Sequence, residues 1–262
     1  EGAKGKTRKK DAKEGAVRGY FEGRREELLA LAAELVGRES PSGDKARCDR
    51  LADLLAGNLA ELGVVERVAN PAGGDHLLVR VAAPEAPTGE GPALVLCHYD
   101  TVWPAGTLAA RPFRAEGDVA YGPGLYDMKA SIAMCALALR SLGPLGLRLQ
   151  RPVTLLITSD EEIGSPTSRA LIEAEARGCA FALVLEPPVE PHGALKTARK
   201  GVGMYAVDLA GRAAHAGVEP EKGASAVTEL AHQILAANAL ADASQGTTIN
   251  VGIVSGGSGR NV

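Results

Sequence analysis

Three short runs of apolar residues constrain the fold more than any other feature of this sequence. The runs are ALVLCHY at 93–99, VTLLIT at 153–158 and FALVLEP at 181–187. Their length is typical of β-strands that are buried on both faces, and helical patterns alternate with them along the chain. This alternation predicts an α/β architecture, in which helices cover both sides of a sheet.

Apolar residues at helical spacing precede and separate these strands. Helices are predicted over 22–36, 44–62, 127–142 and 167–177. A further strand is predicted over HLLVRVAA at 76–83, and a loop rich in Pro, Gly and Glu separates it from the 93–99 run. The two strands are therefore predicted to be neighbours in the sheet.

The pattern changes after Pro191. GMYAVDLAG at 203–211 and TTINVGIVSGG at 247–257 alternate apolar and polar residues like half-exposed strands, and a helix is predicted over 223–240. We therefore predict three segments: a disordered basic arm over residues 1–21, a first domain over 22–197 and a smaller α+β domain over 198–262.

Composition excludes several classes of function. The formal net charge is −3 over 262 residues, so nothing in the overall charge would attract nucleic acid or an anionic membrane. No stretch approaches the roughly 18 apolar residues of a membrane span, and no signal-peptide pattern opens the sequence, so a cytoplasmic protein is predicted. The four cysteines are widely spaced without a C-x-x-C pair, which predicts reduced thiols.

Charged side chains follow each of the three strands at the point where the strand ends. They are His98 and Asp100, then Asp160, Glu161 and Glu162, then Glu186, while Asp127 begins a helix. The carboxyl ends of the strands form the ligand-binding edge of an open α/β sheet. One histidine and several carboxylates converging there would repel one another without a cation. This predicts a divalent metal site, with zinc favoured and cobalt or manganese as alternatives.

Two pairs within this set have complementary geometry. His98 and Asp100 are two positions apart, so on extended backbone they point the same way, and the Asp could accept the free ring N–H of a metal-bound imidazole. Glu161 and Glu162 are adjacent, so they cannot both face the same way. One of them could bind metal while the other points into the cleft as a general base.

Four motifs occur in a fixed order: LCHYDTV, YGPGLYDMKAS, TSDEEIGS and VLEPP. They resemble the motifs of the dinuclear zinc aminoacylase and carboxypeptidase superfamily, which includes glutamate carboxypeptidase, acetylornithine deacetylase and succinyl-diaminopimelate desuccinylase. The stretch HYDTVWPAGTLAARPFRAEGDVAYGPG is most similar to the glutamate carboxypeptidase branch. The resemblance covers about residues 22–262. It implies a zinc-peptidase-like catalytic sheet flanked by helices, with a lid and dimerisation domain inserted into it.

The resemblance implies two zinc ions. His98 and Glu186 would hold one ion, Glu162 would help to hold the other, and Asp127 would bridge the two. Relatives resume the catalytic domain after the lid, where a late histidine completes the second site. This chain ends at Val262, so we expect it to be an inactive fragment of a longer product. Alternatively, it is a natural short form that serves as a one-metal binding or dimerisation module.

The resemblance also implies roles for residues that do not bind metal. Asp100 would orient His98, and Glu161 would be the general base. In the lid, here 198–262, His215 would reach the active site of the partner in a homodimer and stabilise the oxyanion. Asn261 would help to bind the substrate near its carboxylate. The remaining histidines, His76, His192 and His232, are interpreted as structural or surface residues.

The expected activity is hydrolysis of an amide or peptide bond next to a carboxylate-bearing residue, such as a C-terminal glutamate. The substrate would be a small peptide or an N-acyl amino acid. Deacylation of an N-acyl amino acid, as in acetylornithine deacetylase or the desuccinylase, is the alternative within the same class. The specificity pocket cannot be located from the sequence.

Overall fold

A mixed five-stranded sheet organises the first of two units in this computed structural model, which describes residues 14–87, 89 and 91–262. The chain divides into unit 1, Glu1–Lys196, and unit 2, Thr197–Val262. This division lies one residue from the boundary expected between the catalytic and lid domains. The assignment of the second unit as a lid stays a prediction.

Residues 14–22 form a helix, α1. The Tyr20 and Phe21 rings pack edge to face with centroids 5.4 Å apart, and the Arg24 guanidinium lies 3.6 Å over the Tyr20 ring. These local contacts favour a helix despite the basic composition. Residues 14–21 of the arm that was expected to be disordered are thus helical here, and residues 1–13 lie outside the described residues.

The described strands form one large sheet and one hairpin. They are β1 (Val64–Val68), β2 (His76–Val81), β3 (Ala93–His98), β4 (Arg114–Glu116), β5 (Val119–Tyr121), β6 (Val153–Thr158) and β7 (Phe181–Val184). The large sheet has the order β1-β2-β6-β3-β7, and β4 pairs with β5 separately. Strand β3 runs parallel to both β6 and β7, whereas β2 is antiparallel to β1 and β6.

The prediction that β2 and β3 are neighbours is wrong, because β6 lies between them. All six residues of β6 are buried, which requires a strand on each side and a covering layer on each face. Strand β2 exposes Arg80, so it suits a less central position. Hydrophobicity identified both strands, but which of them is central depends on the layers packed around them.

Helices cover both faces of the sheet, as the uninterrupted apolar strands predicted. The helices of unit 1 after α1 are α2 (Arg25–Val36), α3 (Lys45–Leu59), α4 (Thr107–Ala110), α5 (Ala130–Arg140) and α6 (Arg169–Arg177). One face buries the side chains of α2, α3 and α5 in a large core with alternate strand residues such as Val95 and Leu155. The intervening residues, Leu94 and Leu156, pack against α6 on the opposite face.

Unit 2 contains one long helix, α7 (Ala226–Asn238), which begins where the Ser225 hydroxyl accepts a hydrogen bond from Thr228 N at 3.1 Å. The strands predicted over 203–211 and 247–257 are wrong, since these described segments form no β-ladder. Alternation alone does not make a strand, because a strand also needs a partner for its main-chain hydrogen bonds. The alternating residues remain exposed, Tyr205 at 93% and Ile253 at 91%.

The four cysteines are free thiols, as predicted, and Cys48 and Cys97 are buried. Burial raises the pKa of both thiols above its usual range, so neither is poised to react as a thiolate. Among the described residues, no helix combines the length and apolar character that crossing a bilayer would require.

Gly74, in the loop before β2, allows the main chain to approach the core closely. An added Cβ would overlap Cys48 Cβ and lie 2.6 Å from Tyr99 Oη, and both of these side chains are fully buried. We expect Gly74→Ala to lower the free energy of unfolding by about 1–3 kcal/mol, as measured by urea denaturation.

Gly57 provides the matched control. It lies in α3, where an added Cβ would meet none of the described atoms within 4 Å. Gly57→Ala should therefore raise the free energy of unfolding by about 0.5–1 kcal/mol, because alanine is the better helix former. Equal effects of the two substitutions would contradict the close packing around Gly74.

Candidate metal centre

The site lies where the carboxyl ends of three strands meet. Strands β6, β3 and β7 are adjacent and parallel, so the residues that follow them lie at one edge of the sheet. His98 is the last residue of β3, Glu161 and Glu162 follow β6, and Glu186 follows β7. Asp127 comes from the turn before α5. The topology therefore brings the predicted ligands together.

The imidazole of His98 is the centre of this cluster. Its side chain is 2% exposed, and its Nε2 atom lies 2.9 Å from Asp127 Oδ1. The same atom lies 3.6 Å from Glu186 Oε1 and 3.9 Å from Glu161 Oε2. One ring nitrogen therefore faces three carboxylates at once.

Two groups of side chains have the arrangement needed to hold a metal ion. His98, Glu161 and Glu186 form one group, and His98, Asp127 and Glu162 form the other, with the ligand atoms of each group within 4.8 Å of one another. One imidazole and several carboxylates are a donor set that suits zinc and related divalent ions. The residues present therefore fit a divalent metal centre, and His98, which offers one ligand atom, is common to both candidate groups.

Asp100 fixes both the imidazole and the turn that carries two of the carboxylates. His98 Nδ1 lies 3.1 Å from the Asp100 main-chain oxygen and 3.4 Å from its Oδ1 atom. Nδ1–H therefore donates chiefly to the main chain of Asp100, which leaves Nε2 free to bind metal. The fully buried Asp100 carboxylate accepts hydrogen bonds from the Glu161 and Glu162 main-chain nitrogens, each at 3.2 Å.

The crowding of acidic groups changes their protonation. Burial and the charge of Asp127 raise the pKa of Glu162 above its usual range. Burial and neighbouring carboxylates likewise raise the pKa of Glu186 to about 7. Burial alone would lower the pKa of His98, but its contact with Asp100 and the surrounding carboxylates outweigh burial and raise it to about 9. A bound cation would replace the proton on His98 and stabilise the carboxylates in their charged form.

Sequence reasoning missed two residues that support the site. Ser42 Oγ donates to Asp100 Oδ2 at 2.6 Å, and Met128 Sδ lies 3.2 Å from the main-chain nitrogen of His98. Ser42 is 58 positions before Asp100, and nothing in its local sequence marks it as a partner of that residue. Only the packing of the 40–42 segment beside residues 99–101 reveals this contact.

Asp160 also follows a strand, but it does not face the cluster of ligands. Its Oδ2 atom accepts hydrogen bonds from Thr167 N at 2.7 Å, Thr167 Oγ1 at 2.6 Å and Ser168 N at 3.0 Å. Asp160 is therefore committed to a structural role in the turn before α6.

The predicted lid residues lie in unit 2. The main-chain oxygen of Asn261 accepts a hydrogen bond from Ala216 N at 2.9 Å, so the His215 segment and the Asn261 segment are neighbours within this unit. His215 is exposed, and its Nδ1 atom accepts a hydrogen bond from Gly217 N at 3.2 Å. The roles of His215 and Asn261 in oxyanion stabilisation and substrate binding stay predictions.

The remaining histidines differ in environment. His192 and His232 are exposed. His76 is buried, and its ring lies within hydrogen-bonding distance of Ser159 and Thr167.

Comparisons with known proteins agree with this site. Residues 94–258 match the family model described as peptidase family M20/M25/M40. Carboxypeptidase G2 from Pseudomonas sp. (strain RS-16) is 32% identical over 238 residues, which are 90% of this chain and 56% of that protein. Acetylornithine deacetylase from Myxococcus xanthus is 32% identical over 181 residues, 63% of this chain and 43% of that protein. The chain thus spans about half the length of the curated relatives it matches.

A solved structure shows the same fold. Aminopeptidase PepT from Bacillus cereus ATCC 10987 superposes with a TM-score of 0.65 and 25% sequence identity, covering 90% of this chain and 62% of that chain. The segment that matches the family model contains the two groups of candidate metal ligands and His215, whereas Asn261 lies beyond it.

Proposed function

Because the chain belongs to peptidase family M20/M25/M40, we propose that the protein is a metal-dependent hydrolase that cleaves an amide or peptide bond next to a carboxylate-bearing residue. Two zinc ions are the proposed cofactor. A substrate of the glutamate carboxypeptidase type is favoured, since carboxypeptidase G2 matches the largest share of this chain among the two curated relatives described above.

One observation carries this proposal: a single buried imidazole, His98, belongs to two separate groups of carboxylates at the carboxyl edge of the sheet. A purely structural histidine would need one hydrogen-bond partner for each ring nitrogen. Here Nε2 faces Asp127, Glu161 and Glu186 within 4 Å. That excess of acceptors is explained if metal ions occupy the space between them.

Each residue then has a defined task. His98 and Glu186 would hold one ion, Glu162 would help to hold the second, and Asp127 would contribute a carboxylate to both. When bound, the two ions would lower the pKa of a shared water and polarise the scissile carbonyl. Asp100 keeps the proton on His98 Nδ1, so Nε2 remains a ligand.

Glu161 is the proposed general base. Its side chain is 48% exposed, whereas Glu162 is less exposed and groups with Asp127. The more exposed carboxylate can reach a water molecule at the open side of the site, take its proton and return that proton to the leaving amine. The first ligand group also contains Glu161, so its carboxylate stands beside the proposed metal position.

The residues of unit 2 complete the proposal. His215 would stabilise the oxyanion in the active site of the partner in a homodimer, and Asn261 would contact the substrate near its carboxylate. A cytoplasmic location also stays a prediction.

The test uses the protein purified from its natural source, with its intact mass measured first. Release of glutamate from N-acyl glutamates should be lost after chelation and restored by Zn²⁺. Acetylornithine and succinyl-diaminopimelate serve as competing substrates in the same assay. Preference for either would favour the deacylase alternative, to which the similarity with the Myxococcus xanthus enzyme points. Metal binding without any turnover would instead favour the one-metal binding or dimerisation module.

A further inference from the structure

A buried histidine outside the cluster of ligands connects the two ends of the turn that carries Glu161 and Glu162. We refer to residues 159–168 as the carboxylate turn. His76, the first residue of β2, is 2% exposed. Its Nδ1 atom lies 3.3 Å from Ser159 N at the start of the turn. Its Nε2 atom lies 3.2 Å from Thr167 Oγ1 near the end of the turn.

The donors and acceptors around His76 determine the direction of each hydrogen bond. A main-chain N–H can only donate, so His76 Nδ1 accepts from Ser159 N, and the neutral ring carries its proton on Nε2. Nε2–H therefore donates to Thr167 Oγ1. Thr167 Oγ1 also accepts from Asn70 Nδ2 at 3.0 Å and donates its own proton to Asp160 Oδ2 at 2.6 Å. The hydroxyl thus makes one donated and two accepted bonds, which is its full capacity.

Asp160, which accepts the hydrogen bond from the Thr167 hydroxyl, also links the two ends of the carboxylate turn. Asp160 Oδ2 accepts from Thr167 N and Ser168 N as well as from the Thr167 hydroxyl. The Asp160 main-chain oxygen accepts from Ser165 N at 2.8 Å. The beginning and the end of the carboxylate turn are therefore tied to each other and to the His76 ring.

The middle of the turn is fixed separately. Asp100 accepts hydrogen bonds from the Glu161 and Glu162 main-chain nitrogens. With its ends held through His76 and its middle held by Asp100, the turn has little freedom to move the Glu162 carboxylate relative to His98. Metal affinity depends on such support, because ligands that must first be ordered bind more weakly.

We propose that His76, acting through Thr167 and Asp160, is a positioning residue that holds the carboxylate turn in the geometry in which Glu162 binds metal. This proposal rests on the proposed metal-dependent function. His76 touches neither the candidate ligands nor the reacting atoms, so it acts only through the turn. His76 was interpreted from the sequence as a structural residue. The proposal adds that its structural role supports the candidate metal centre.

The test measures Co²⁺ binding to the protein as it occurs in its natural source, and to its variants, by the visible absorption spectrum of the bound ion, which reports the geometry of the ligands. His76→Phe keeps a planar ring but removes both nitrogens. His76→Gln keeps an amide that can donate to Thr167, and Thr167→Val removes only the hydroxyl. Thr154→Val is the control, because it removes a hydroxyl that accepts a hydrogen bond from Arg80 at 3.2 Å. Thr154 lies in β6, the strand that precedes the carboxylate turn, and not in the turn itself.

We expect His76→Phe and Thr167→Val to weaken Co²⁺ binding at one of two sites by about 10- to 100-fold and to change the spectrum of that site. His76→Gln should recover part of the affinity, and Thr154→Val should bind as the unmodified chain does. Circular dichroism checks that each variant is folded. If His76→Phe does not fold, Thr167→Val decides the question.

Two different failures remain distinguishable. If the unmodified protein, as it occurs in its natural source, binds no Co²⁺, the proposed function is wrong. If it binds Co²⁺ and both His76→Phe and Thr167→Val bind equally tightly with the same spectrum, the metal site stands and the positioning role of His76 is overturned. A loss of affinity in Thr154→Val as large as in Thr167→Val would also overturn it.

Discussion

Replacing Glu161 by Gln is expected to lower kcat of the protein, as it occurs in its natural source, by about 10²- to 10⁴-fold while leaving its metal content unchanged. The amide has nearly the shape of the carboxylate but cannot accept a proton at neutral pH. Since the Glu161 side chain is 48% exposed, the substitution should not disturb the core. Steady-state kinetics and elemental analysis of the same preparation measure the two quantities.

Two further variants serve as comparisons for the Glu161→Gln result. Glu162→Gln should lower the metal content, because Glu162 groups with His98 and Asp127 as a candidate ligand. Glu173→Gln, on the exposed side of α6, removes a charge that pairs only with nearby arginines and should change neither quantity. Retained turnover in Glu161→Gln would refute its role as general base. Lost turnover with unchanged metal content in Glu162→Gln would assign the two roles the other way round.

Replacing His98 by Ala is expected to weaken binding of the metal ion that His98 and Glu186 would hold, because Nε2 is the one ring nitrogen left to bind metal while Nδ1–H donates to Asp100. The loss of affinity at that site should exceed the roughly 100-fold that removal of a residue supporting a ligand costs. Activity should fall with the metal content, and excess Zn²⁺ should not restore it fully. Titration with Co²⁺ followed by absorption measures the affinity of each site.

The His98 experiment needs a folding control, since this ring is almost fully buried. Thermal unfolding of the metal-free variant shows whether the core survives the loss. His232→Ala, an exposed histidine in α7, should leave metal binding unchanged. If His98→Ala bound both metal ions as tightly as the unmodified protein does, the role of this imidazole as a metal ligand would be contradicted.

Much of the site could be predicted from local sequence. An apolar run that ends in His98 and Asp100, and another that ends in the Glu161–Glu162 pair, are both contiguous patterns. A strand buried on both faces must be apolar along its whole length, so its end is marked by the first charged residues. The ordered motifs around these strand ends then identified the family, which the match over residues 94–258 confirms.

Other features depend on partners that are distant in sequence. The 203–211 segment alternates like a strand but forms none, because alternation does not supply an edge to pair with. Placing β6 between β2 and β3 requires packing on both faces of the sheet. Neither feature can be predicted from a window of ten residues.

The sequence by itself determined which residues stand at the strand ends and which chemistry their side chains offer, because burial of a strand and the donor set of a metal are local requirements. Only the tertiary structure decided how these side chains are held. It brought Ser42 to Asp100 across 58 positions and His76 to Thr167 across 91. Hydrogen bonds act over about 3 Å in space whatever the separation along the chain, so the supports of the site emerge only when the sheet and its loops are assembled.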